Sequence, residues 1–564
     1  MNNYDYKDIE FWPLPSTDEP SSGYPGFDPH TEIFPAGYKV QPGRIPFACD
    51  TVCEQDVAIK LRDGTTIYAD VYRPVTEEKV PAILSWGIAG KRGKNLAGGF
   101  SLEGKPLNTL TPENSLMSGL HVHNGPDPAV WVQYGYAIIN PDPRGTYNSE
   151  GDVMYFGTQY AEDGYDVIEW CAGQDWCSGK VALAGTHWYA LSQWFIDEKQ
   201  PPHLAAIAPA EAHGNLYLDE FVRDGIPRLD YTARLRTYTT HGARIEDICA
   251  MAEKHPFFDE YWQDKCADFS KINVPAWITA SWTQTNHSRG VFEAFEKLGT
   301  DQKWLRIHDI GEFTDPRTES TILDQKKFFD HFLKGEDNGW ENTPRVRLAT
   351  LDPGGENIVG RPESSFPLEN QKIRTLWLGD AGRMYGEKPE NEGSCAYCAD
   401  DEVSVTGFAW IFEEETEITG YLRLRLWIEA ETDDADVFVR LYKLDSEGNK
   451  LWTTHDNKYS GPNGRLRVSH RELNAAESDE LRPVHTHSGE QLLTPGEIVP
   501  IDIGIWPTSL VFHPGEQLLV EICGWEIKVA HFGNEHIPTR NKGSHTLHFG
   551  GKFDSKLLIP VIER

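Results

Sequence analysis

The stretch KVALAGTHWYALSQWFI, residues 180–196, decides how the first half of the chain folds. Its first part, residues 180–185, is a short apolar run of the kind that forms a buried strand. Its last part, residues 191–196, is typical of the start of a helix. The residues between them leave room only for a tight turn. The sequence therefore predicts a strand, a turn and a helix, with His187 at the tip of the turn.

This order of elements resembles the nucleophile elbow of α/β-hydrolases, whose pattern is Gly-x-Ser-x-Gly. Such an elbow presents its central side chain above the sheet and at the N-terminus of a helix. Here Gly185 is present, but His187 stands in the place of the serine and the closing glycine is absent. The pattern indicates a hydrolase-like architecture that lacks the usual attacking hydroxyl.

Composition and charge narrow the class of protein. A chain of 564 residues is too long for one hydrophobic core, and we expect two or three domains. The net charge of −34 would repel phosphate backbones and anionic lipids, which favours a small-molecule substrate over nucleic acid or a membrane. The nine cysteines are scattered, which favours free thiols in a reducing compartment. The sequence shows neither a long apolar run nor a signal-peptide pattern, and we therefore expect a cytoplasmic location.

The composition changes along the chain in three steps. Residues 1–50 are rich in Pro, Gly and Asp, and we expect an extended arm that packs on a surface and could form a homodimer contact. Residues 51–345 alternate apolar runs with helical patterns, which predicts an α/β domain with a mostly parallel sheet. Polar residues 213–270 interrupt this domain as a helical cap. Residues 346–564 show period-two segments between turns, which predicts an all-β jelly-roll sandwich. The expected buried strands lie within residues 80–86, 136–140, 181–184, 204–208, 276–280 and 304–308.

Several motifs occur in the order found in one family of hydrolases. RDGTTIYADVYRP, residues 62–74, resembles the opening RDG-x-x-x-x-AD-x-Y-RP of that family. Residues 135–151 resemble its GYA…D-x-RG…SEG, and DGYDVIEW, residues 163–170, resembles its DGYD-x-I-E-W. In the tail, ITG at 418–420 and LRVSHR at 466–471 resemble its C-terminal sandwich.

The chain is therefore similar to the cocaine esterase / X-Pro dipeptidyl-peptidase (CocE/NonD) family. This resemblance implies an α/β-hydrolase fold with a cap insertion and a C-terminal, galactose-binding-like jelly-roll sandwich. Residues 192–195 and 225–227 resemble fungal members, which favours a role in fungal secondary metabolism.

The resemblance implies four functional parts, and the sequence departs from all of them. The family has a serine at the elbow, an oxyanion-binding tyrosine near the first strand, an acid after a later strand and a histidine after the last strand. The residues at those positions are, in the same order, His187, Ala89, Gln284 and Glu312. His308 and His287 are alternatives for the last position. The resemblance supports the fold but does not supply the usual triad.

An imidazole at the elbow indicates acid/base chemistry. Histidine titrates near neutral pH, and neutral imidazole is a competent general base. The N-terminus of a helix disfavours imidazolium, so we expect His187 to be biased towards its neutral form. A carboxylate from Glu312, Asp309 or Asp315 could orient the ring and stabilise its charged form. We predict His187 and Glu312 as the catalytic residues.

Aromatic and polar side chains are expected around His187. Trp86, Trp188 and Trp282 would form flat apolar walls for an aromatic or polycyclic ligand. Other polar residues follow the C-terminal ends of strands, where α/β sheets place their sites. These residues are His121, His123, Asn124, Glu211, His213 and His287. Together with Ala89 and Gln284 they form the expected pocket, and because no metal-binding spacing is present, neither a metal nor a cofactor is predicted.

Three functions remain open from the sequence. The first is a non-hydrolytic enzyme in which His187 moves a proton on a carbonyl compound, giving cyclisation, isomerisation, aldol-type cleavage or elimination. The second is a residual ester or amide hydrolase that uses His187 or a nearby serine such as Ser192. The third is a pseudoenzyme that binds a ligand without changing it.

Overall fold

The computed structural model describes residues 6–19, 24, 26–91, 116–228, 241–283, 287–312, 314–452, 462–526 and 538–563. Within these ranges the chain forms an 11-stranded sheet, a 12-stranded sheet and two ribbons of two strands each. The first large sheet belongs to the α/β part of the chain and the second to the all-β part.

The α/β part is organised around a central parallel sheet. The strands up to residue 363 are β1 (Phe11–Pro13), β2 (His30–Phe34), β3 (Thr51–Lys60), β4 (Thr66–Pro74), β5 (Val80–Leu84), β6 (Ala137–Asp142), β7 (Cys177–Thr186), β8 (Leu204–Ala210), β9 (Val222–Arg223), β10 (Ile226–Pro227), β11 (Arg244–Glu246), β12 (Ala276–Ser281), β13 (Lys303–His308), β14 (Val346–Thr350) and β15 (Ile358–Glu363). The large sheet has the order β15-β14-β13-β12-β8-β7-β5-β6-β4-β3-β2. Every pair from β6 to β14 is parallel, and the pairs at both edges are antiparallel.

The predicted buried runs are confirmed as strands of this sheet. Every residue of β5, β6 and β12 is buried. Strands covered on both faces need apolar side chains on both faces, which explains why these segments are continuously apolar rather than alternating.

Seven helices pack on the sheet or belong to the cap. They are α1 (Pro128–Trp131), α2 (Thr158–Ala172), α3 (Trp188–Asp197), α4 (Ile248–Lys254), α5 (Glu260–Gln263), α6 (Ser288–Lys297) and α7 (Glu319–Phe329), counted over the described residues. Between β8 and β12, where the cap is expected, the chain carries a π-helical turn at Tyr217–Phe221, the β9–β10 hairpin, β11, α4 and α5. The N-terminal region reaches this cap, because β1 pairs with β11. It also reaches the edge of the sheet, because β2 pairs with β3.

The first sheet runs past the domain boundary that the sequence places at residue 345. β14 pairs in parallel with β13, and β15 returns antiparallel to β14, so the sheet ends at Glu363. The observed boundary lies later in the chain than the predicted one because β14 is a short apolar strand, in which only the second residue is not fully buried. Such a strand is stabilised by extending the sheet that precedes it rather than by starting the next domain.

The all-β part is a jelly-roll-like sandwich with period-two burial. Its strands are β16 (Gln371–Gly379), β17 (Arg383–Tyr385), β18 (Gly393–Cys398), β19 (Val405–Ile411), β20 (Thr416–Ala430), β21 (Asp436–Leu444), β22 (Lys450–Leu451), β23 (Asn463–Arg467), β24 (Ile498–Phe512), β25 (Gln517–Cys523), β26 (Ser544–Phe549) and β27 (Lys556–Ile562). Along the second half of β20, buried and half-buried residues alternate, as a strand with one face on a core requires.

The two parts share one hydrophobic core. A single cluster of buried residues contains both Leu348 of β14 and Leu510 of β24. Backbone hydrogen bonds from Leu351 N to Ser509 O and from Val511 N to Leu351 O, both 3.0 Å, cross the junction. All nine cysteines are free thiols. Among the described helices, none combines the length and apolar character that a transmembrane span requires.

Candidate active site

The turn between β7 and α3 has the geometry of a nucleophile elbow, which confirms the predicted strand, turn and helix. β7 ends at Thr186, α3 begins at Trp188, and His187 between them has φ 56° and ψ −121°. A left-handed φ is strained for a residue that carries a Cβ atom. Three backbone hydrogen bonds hold it: His187 N donates to Ala210 O at 3.0 Å, and His187 O accepts from Ala190 N at 2.8 Å and from Leu191 N at 2.7 Å.

One carboxylate oxygen joins two histidines at this elbow. Glu312 lies in the loop after β13, and His287 precedes the first turn of α6. Glu312 Oε2 is 2.6 Å from His187 Nε2 and 3.2 Å from His287 Nδ1. The imidazole rings of His187 and His287 pack against each other, with their centroids 3.7 Å apart. The structure thus brings together His187 and Glu312, which the sequence analysis selected as a pair, and adds His287 to them.

The charges of this cluster shift the pKa of each member in a different direction. Burial alone would lower the pKa of His187, but the carboxylate of Glu312 outweighs burial and raises it above its usual value. Burial and the neighbouring charge of His187 lower the pKa of His287 to about 4. Burial would raise the pKa of Glu312, but the two imidazoles hold it far below its usual range. The expected bias of His187 towards its neutral form is therefore wrong in direction, because the ion pair with Glu312 raises the pKa of His187.

The other two carboxylates considered as partners of His187 are engaged elsewhere. Asp309 Oδ2 accepts a hydrogen bond from Asn357 Nδ2 at 2.9 Å. Asp315 accepts two hydrogen bonds from the guanidinium of Arg306, at 2.7 and 2.8 Å. Of the three carboxylates, Glu312 is the one that contacts the elbow histidine.

A second carboxyl group lies at the end of β8 with the opposite protonation preference. Glu211 is fully buried, and its Oε1 lies 3.3 Å from His308 Nε2. Burial raises the pKa of Glu211 to about 7, even though His308 acts against the rise. The charges of Glu312 and His187 also act on Glu211, so it belongs to the same electrostatic site. Two nearby carboxyl groups with widely separated pKa values are typical of acid/base centres.

His213 belongs to a third ion-pair group beside the elbow. Its Nε2 is 3.0 Å from Glu220 Oε2, and its ring centroid is 4.8 Å from that of His287. Arg228 Nη1 lies 3.7 Å from the same oxygen of Glu220. Burial would raise the pKa of Glu220, but His213 and Arg228 lower it to about 2. The sequence analysis missed Glu220, although an acidic pair inside the apolar run YLDEFV, residues 217–222, is a usable signal for a buried charge.

A cavity opens beside the site at the C-terminal ends of the parallel strands. Its lining includes His121, His123, Asn124, Thr186 and Glu312. His187 is not among the described residues that line it, so Glu312 connects the cavity with the elbow. The structure thus places His123 and Asn124 on the cavity wall, where the sequence predicts them.

Two of the three tryptophans expected to line the pocket lie in the hydrophobic core instead. Trp86 is 1% exposed and packs against Tyr160, with ring centroids 5.7 Å apart. Trp282 is 3% exposed and stacks on Phe292 at 4.8 Å. Both tryptophans follow apolar strands, and the aromatic rings packed against them bury their side chains away from the pocket. Trp188, the first residue of α3, is half-buried beside the elbow.

Within the described residues, neither Ser192 nor Ala89 supplies the hydroxyl group of a serine hydrolase at His187. Ser192 is fully buried, and its Oγ donates to Trp86 O at 2.8 Å, one turn into α3. Ala89 has only a methyl group where the family's tyrosine is expected. Gln284 lies outside the described residues.

Comparisons with known proteins agree with this architecture. Residues 63–242 match the model of the X-Pro dipeptidyl-peptidase (S15) family, and residues 338–558 match the C-terminal non-catalytic domain of X-Pro dipeptidyl-peptidases. The crystal structure of a CocE/NonD family hydrolase from Staphylococcus aureus is 30% identical, with a TM-score of 0.86, and the match covers 95% of this chain and 97% of that one. This chain therefore belongs to the CocE/NonD family of α/β-hydrolases.

Other similar proteins include an esterase and an ester hydrolase. A cocaine esterase from a Rhodococcus species is 22% identical, and the match covers 90% of this chain and 98% of that protein. The structure of an α-amino acid ester hydrolase, 15% identical with a TM-score of 0.65, shares the fold. The chain is thus built as a CocE/NonD-type hydrolase along almost its whole length.

Proposed function

We propose that this CocE/NonD-family enzyme uses His187 for general acid/base chemistry on a small carbonyl compound, without a serine nucleophile. The observation that carries the proposal is the 2.6 Å contact between His187 Nε2 and Glu312 Oε2 at the tip of the elbow. A histidine held by a buried carboxylate is the proton-transfer half of a hydrolytic triad. Here that half occupies the position from which a serine would attack.

The proposed step is proton abstraction next to a carbonyl group. Neutral His187 removes the proton, the electron pair of the C–H bond forms an enolate, and Glu312 stabilises the imidazolium that results. Because Nε2 is held by Glu312, we assign the exchanged proton to Nδ1. Glu211, with its pKa raised to about 7, is partly protonated at neutral pH, and its protonated form can return a proton to the intermediate. Cyclisation, isomerisation, aldol-type cleavage and elimination can all start from such an enolate.

The side chains that line the cavity indicate the chemical class of the substrate. A cavity with histidine and amide groups suits a neutral or weakly polar molecule with a hydrogen-bonding carbonyl. A role in fungal secondary metabolism stays a prediction from the sequence, as do the cytoplasmic location and the homodimer.

Residual ester hydrolysis is the second candidate, and the relationship to esterases favours it. In that case His187 would activate a water molecule or attack the ester itself. Ser192 is a poor nucleophile for this purpose, because its hydroxyl is buried and donates to backbone carbonyls of Trp86 and Tyr189.

Two measurements on the full chain separate these functions. The first is incubation of a panel of ketones, aldehydes and β-dicarbonyl compounds in D₂O, with deuterium uptake read by mass spectrometry. We expect exchange that His187→Ala abolishes and that His203→Ala, at an exposed histidine paired with Glu169, leaves unchanged. Exchange that is absent, or that survives His187→Ala, would contradict the proposal.

The second measurement is fluorophosphonate labelling, read by intact mass. We expect no adduct on the natural protein, while the His187→Ser variant tests whether the elbow can still activate a hydroxyl. A stoichiometric adduct on the natural protein would make ester hydrolysis by a serine the leading function.

A further inference from the structure

A second group of histidine and carboxylate side chains lies away from the elbow, where the cap meets the sandwich. We call Asp224, His485 and His487 the seam cluster. One ligand atom from each of these residues lies within 4.8 Å of those from the others. Asp224 is in the turn of the β9–β10 hairpin of the cap, and the two histidines are in the loop between β23 and β24 of the sandwich.

The cluster is held in the join between the two parts of the chain. Arg467 N donates to Asp224 O at 2.9 Å, and Phe258 N of the cap donates to His487 O at 3.0 Å. Asp224 and His487 both have a left-handed φ, of 49° and 47°. Such strained backbone persists only where the surroundings fix it, so the positions of both residues are well determined.

Each of the two imidazoles has a ring nitrogen without a hydrogen-bond partner in the described part of the chain. His487 is 2% exposed and His485 is 7% exposed. His487 Nδ1 lies 3.1 Å from His470 Nδ1, and the backbone of Asp502 hydrogen bonds to His485. The Nε2 atoms of His485 and His487 hydrogen bond to no atom of the described chain. Burying a polar atom without a hydrogen-bond partner is unfavourable, so two such atoms in one cluster point to a ligand.

We propose that the seam cluster binds a divalent transition-metal ion, with Zn²⁺ as the best match. Imidazole nitrogens and a carboxylate oxygen are ligands of zinc and related ions, whereas Mg²⁺ and Ca²⁺ prefer oxygen alone. In a tetrahedral site, ligand atoms about 2.0 Å from zinc lie roughly 3.3 Å from each other. The ligand atoms, which lie within 4.8 Å of one another, would therefore have to move closer by up to about 1.5 Å through side-chain rotation when the ion binds.

Positive charges near the cluster act against a cation, and carboxylates pair with two of the arginines that carry them. Arg289 is close enough to lower the pKa of His487, and Arg465 acts on Asp224. Arg289 is ion-paired with Asp219, and Arg465 is ion-paired with Glu526. Arg223, whose guanidinium lies over the ring of Trp506, also acts on Asp224, so a bound ion would share the charge of Asp224 with this arginine.

Two other groups of ligating residues are weaker candidates. In the group of Asp352, His513 and Glu516, both carboxylates hold the ammonium of Lys443. In the elbow group of His187, His287 and Glu312, both imidazoles already contact the carboxylate. The seam cluster differs because its ring nitrogens lack such a contact.

A metal ion here would join the cap to the sandwich. The β9–β10 hairpin supplies one ligand and the sandwich supplies two, so binding would fix the cap hairpin to the sandwich. An ion that binds only the folded chain raises the unfolding temperature. Metal removal is therefore expected to lower the unfolding temperature of the natural protein.

The test is the metal content of the full chain, purified without a histidine tag or chelator, by inductively coupled plasma mass spectrometry. We expect about one equivalent of zinc per chain, and below about 0.2 equivalents for His487→Ala and Asp224→Asn. His513→Ala and His187→Ala are the matched controls, and both should keep the ion. Cobalt loaded after chelation should give the visible absorption of a four-coordinate site in the natural protein and in neither seam variant.

Circular dichroism of each variant shows whether a loss of metal follows from misfolding. Should both seam variants fail to fold, cobalt spectra of the natural protein and of His187→Ala still decide the matter. A natural protein that binds neither zinc nor cobalt after reloading would overturn the proposal. Metal lost from His187→Ala but kept in His487→Ala would also overturn it, and would place the ion at the elbow.

Discussion

The elbow and the seam cluster contain the same kinds of side chain and differ in how these are partnered. At the elbow, Glu312 contacts both His187 and His287, so charge and protons are shared within the protein. At the seam, His485 and His487 each have a buried ring nitrogen that hydrogen bonds to none of the described residues. The first arrangement suits proton transfer, and the second suits a bound ion. Residue types alone therefore do not define the chemistry of a buried histidine cluster; the partners of each side chain define it as well.

The largest expected effect is the loss of proton transfer in His187→Ala. The variant removes the only group placed at the tip of the elbow, and a positioned acid/base contributes about 10²–10⁴-fold to a rate. Deuterium exchange on a substrate found in the panel measures this loss. His487→Ala is the matched variant from the other cluster and should keep the rate, so a comparable loss in both would break the distinction between the two sites.

Glu312→Gln should have the next largest effect, because it keeps the shape of the side chain and removes its charge. We expect a rate loss of about 10²-fold, since the imidazolium formed at His187 loses its counter-ion. Glu312 raises the pKa of His187, and without it burial lowers that pKa. The rate depends on neutral His187, so its rise with pH should move to lower pH in the variant. An unmoved pH profile would show that this carboxylate does not control His187.

Glu211→Gln should stabilise the protein at high pH. A carboxyl group with a raised pKa in the folded state costs stability when pH is above that pKa, and costs nothing below its unfolded pKa. Folding raises the pKa of Glu211 from 4.5 to about 7. This shift destabilises the folded state by roughly 3 kcal/mol at pH 8, and the destabilisation falls to zero near pH 4. Urea unfolding of both proteins at pH 4, 6 and 8 measures the difference. A gap that grows as pH falls would have the wrong sign and would refute the assignment.

The fold could be predicted from the sequence further than the site could. Apolar runs such as β5 and β12 are continuous because both faces of the strand are covered, and this pattern is visible without a structure. The pairing of His187 with Glu312 could also be proposed, because both follow the ends of parallel strands. The two residues follow β7 and β13 at the same edge of one sheet, with β8 and β12 between these strands.

What the sequence could not supply depends on contacts between distant segments. The raised pKa of His187 results from a 2.6 Å contact, whereas the sequence offered only the helix N-terminus as a guide. The core positions of Trp86 and Trp282 depend on packing partners such as Tyr160 and Phe292. The seam cluster joins residues about 260 positions apart, and no local spacing reveals it.

The smallest expected effect distinguishes a core tryptophan from a pocket wall. Trp282→Phe should lower the free energy of unfolding by about 1–2 kcal/mol, because it removes buried ring atoms and the hydrogen bond from Trp282 Nε1 to Ala349 O. The KM for any substrate should stay within about twofold, since Trp282 is not exposed to the cavity. Trp188→Phe is the matched variant, at a half-buried residue next to His187. Trp188→Phe should change KM more than it changes the free energy of unfolding. If Trp282→Phe changed KM and Trp188→Phe changed only stability, Trp282 would be the pocket wall and Trp188 the core residue.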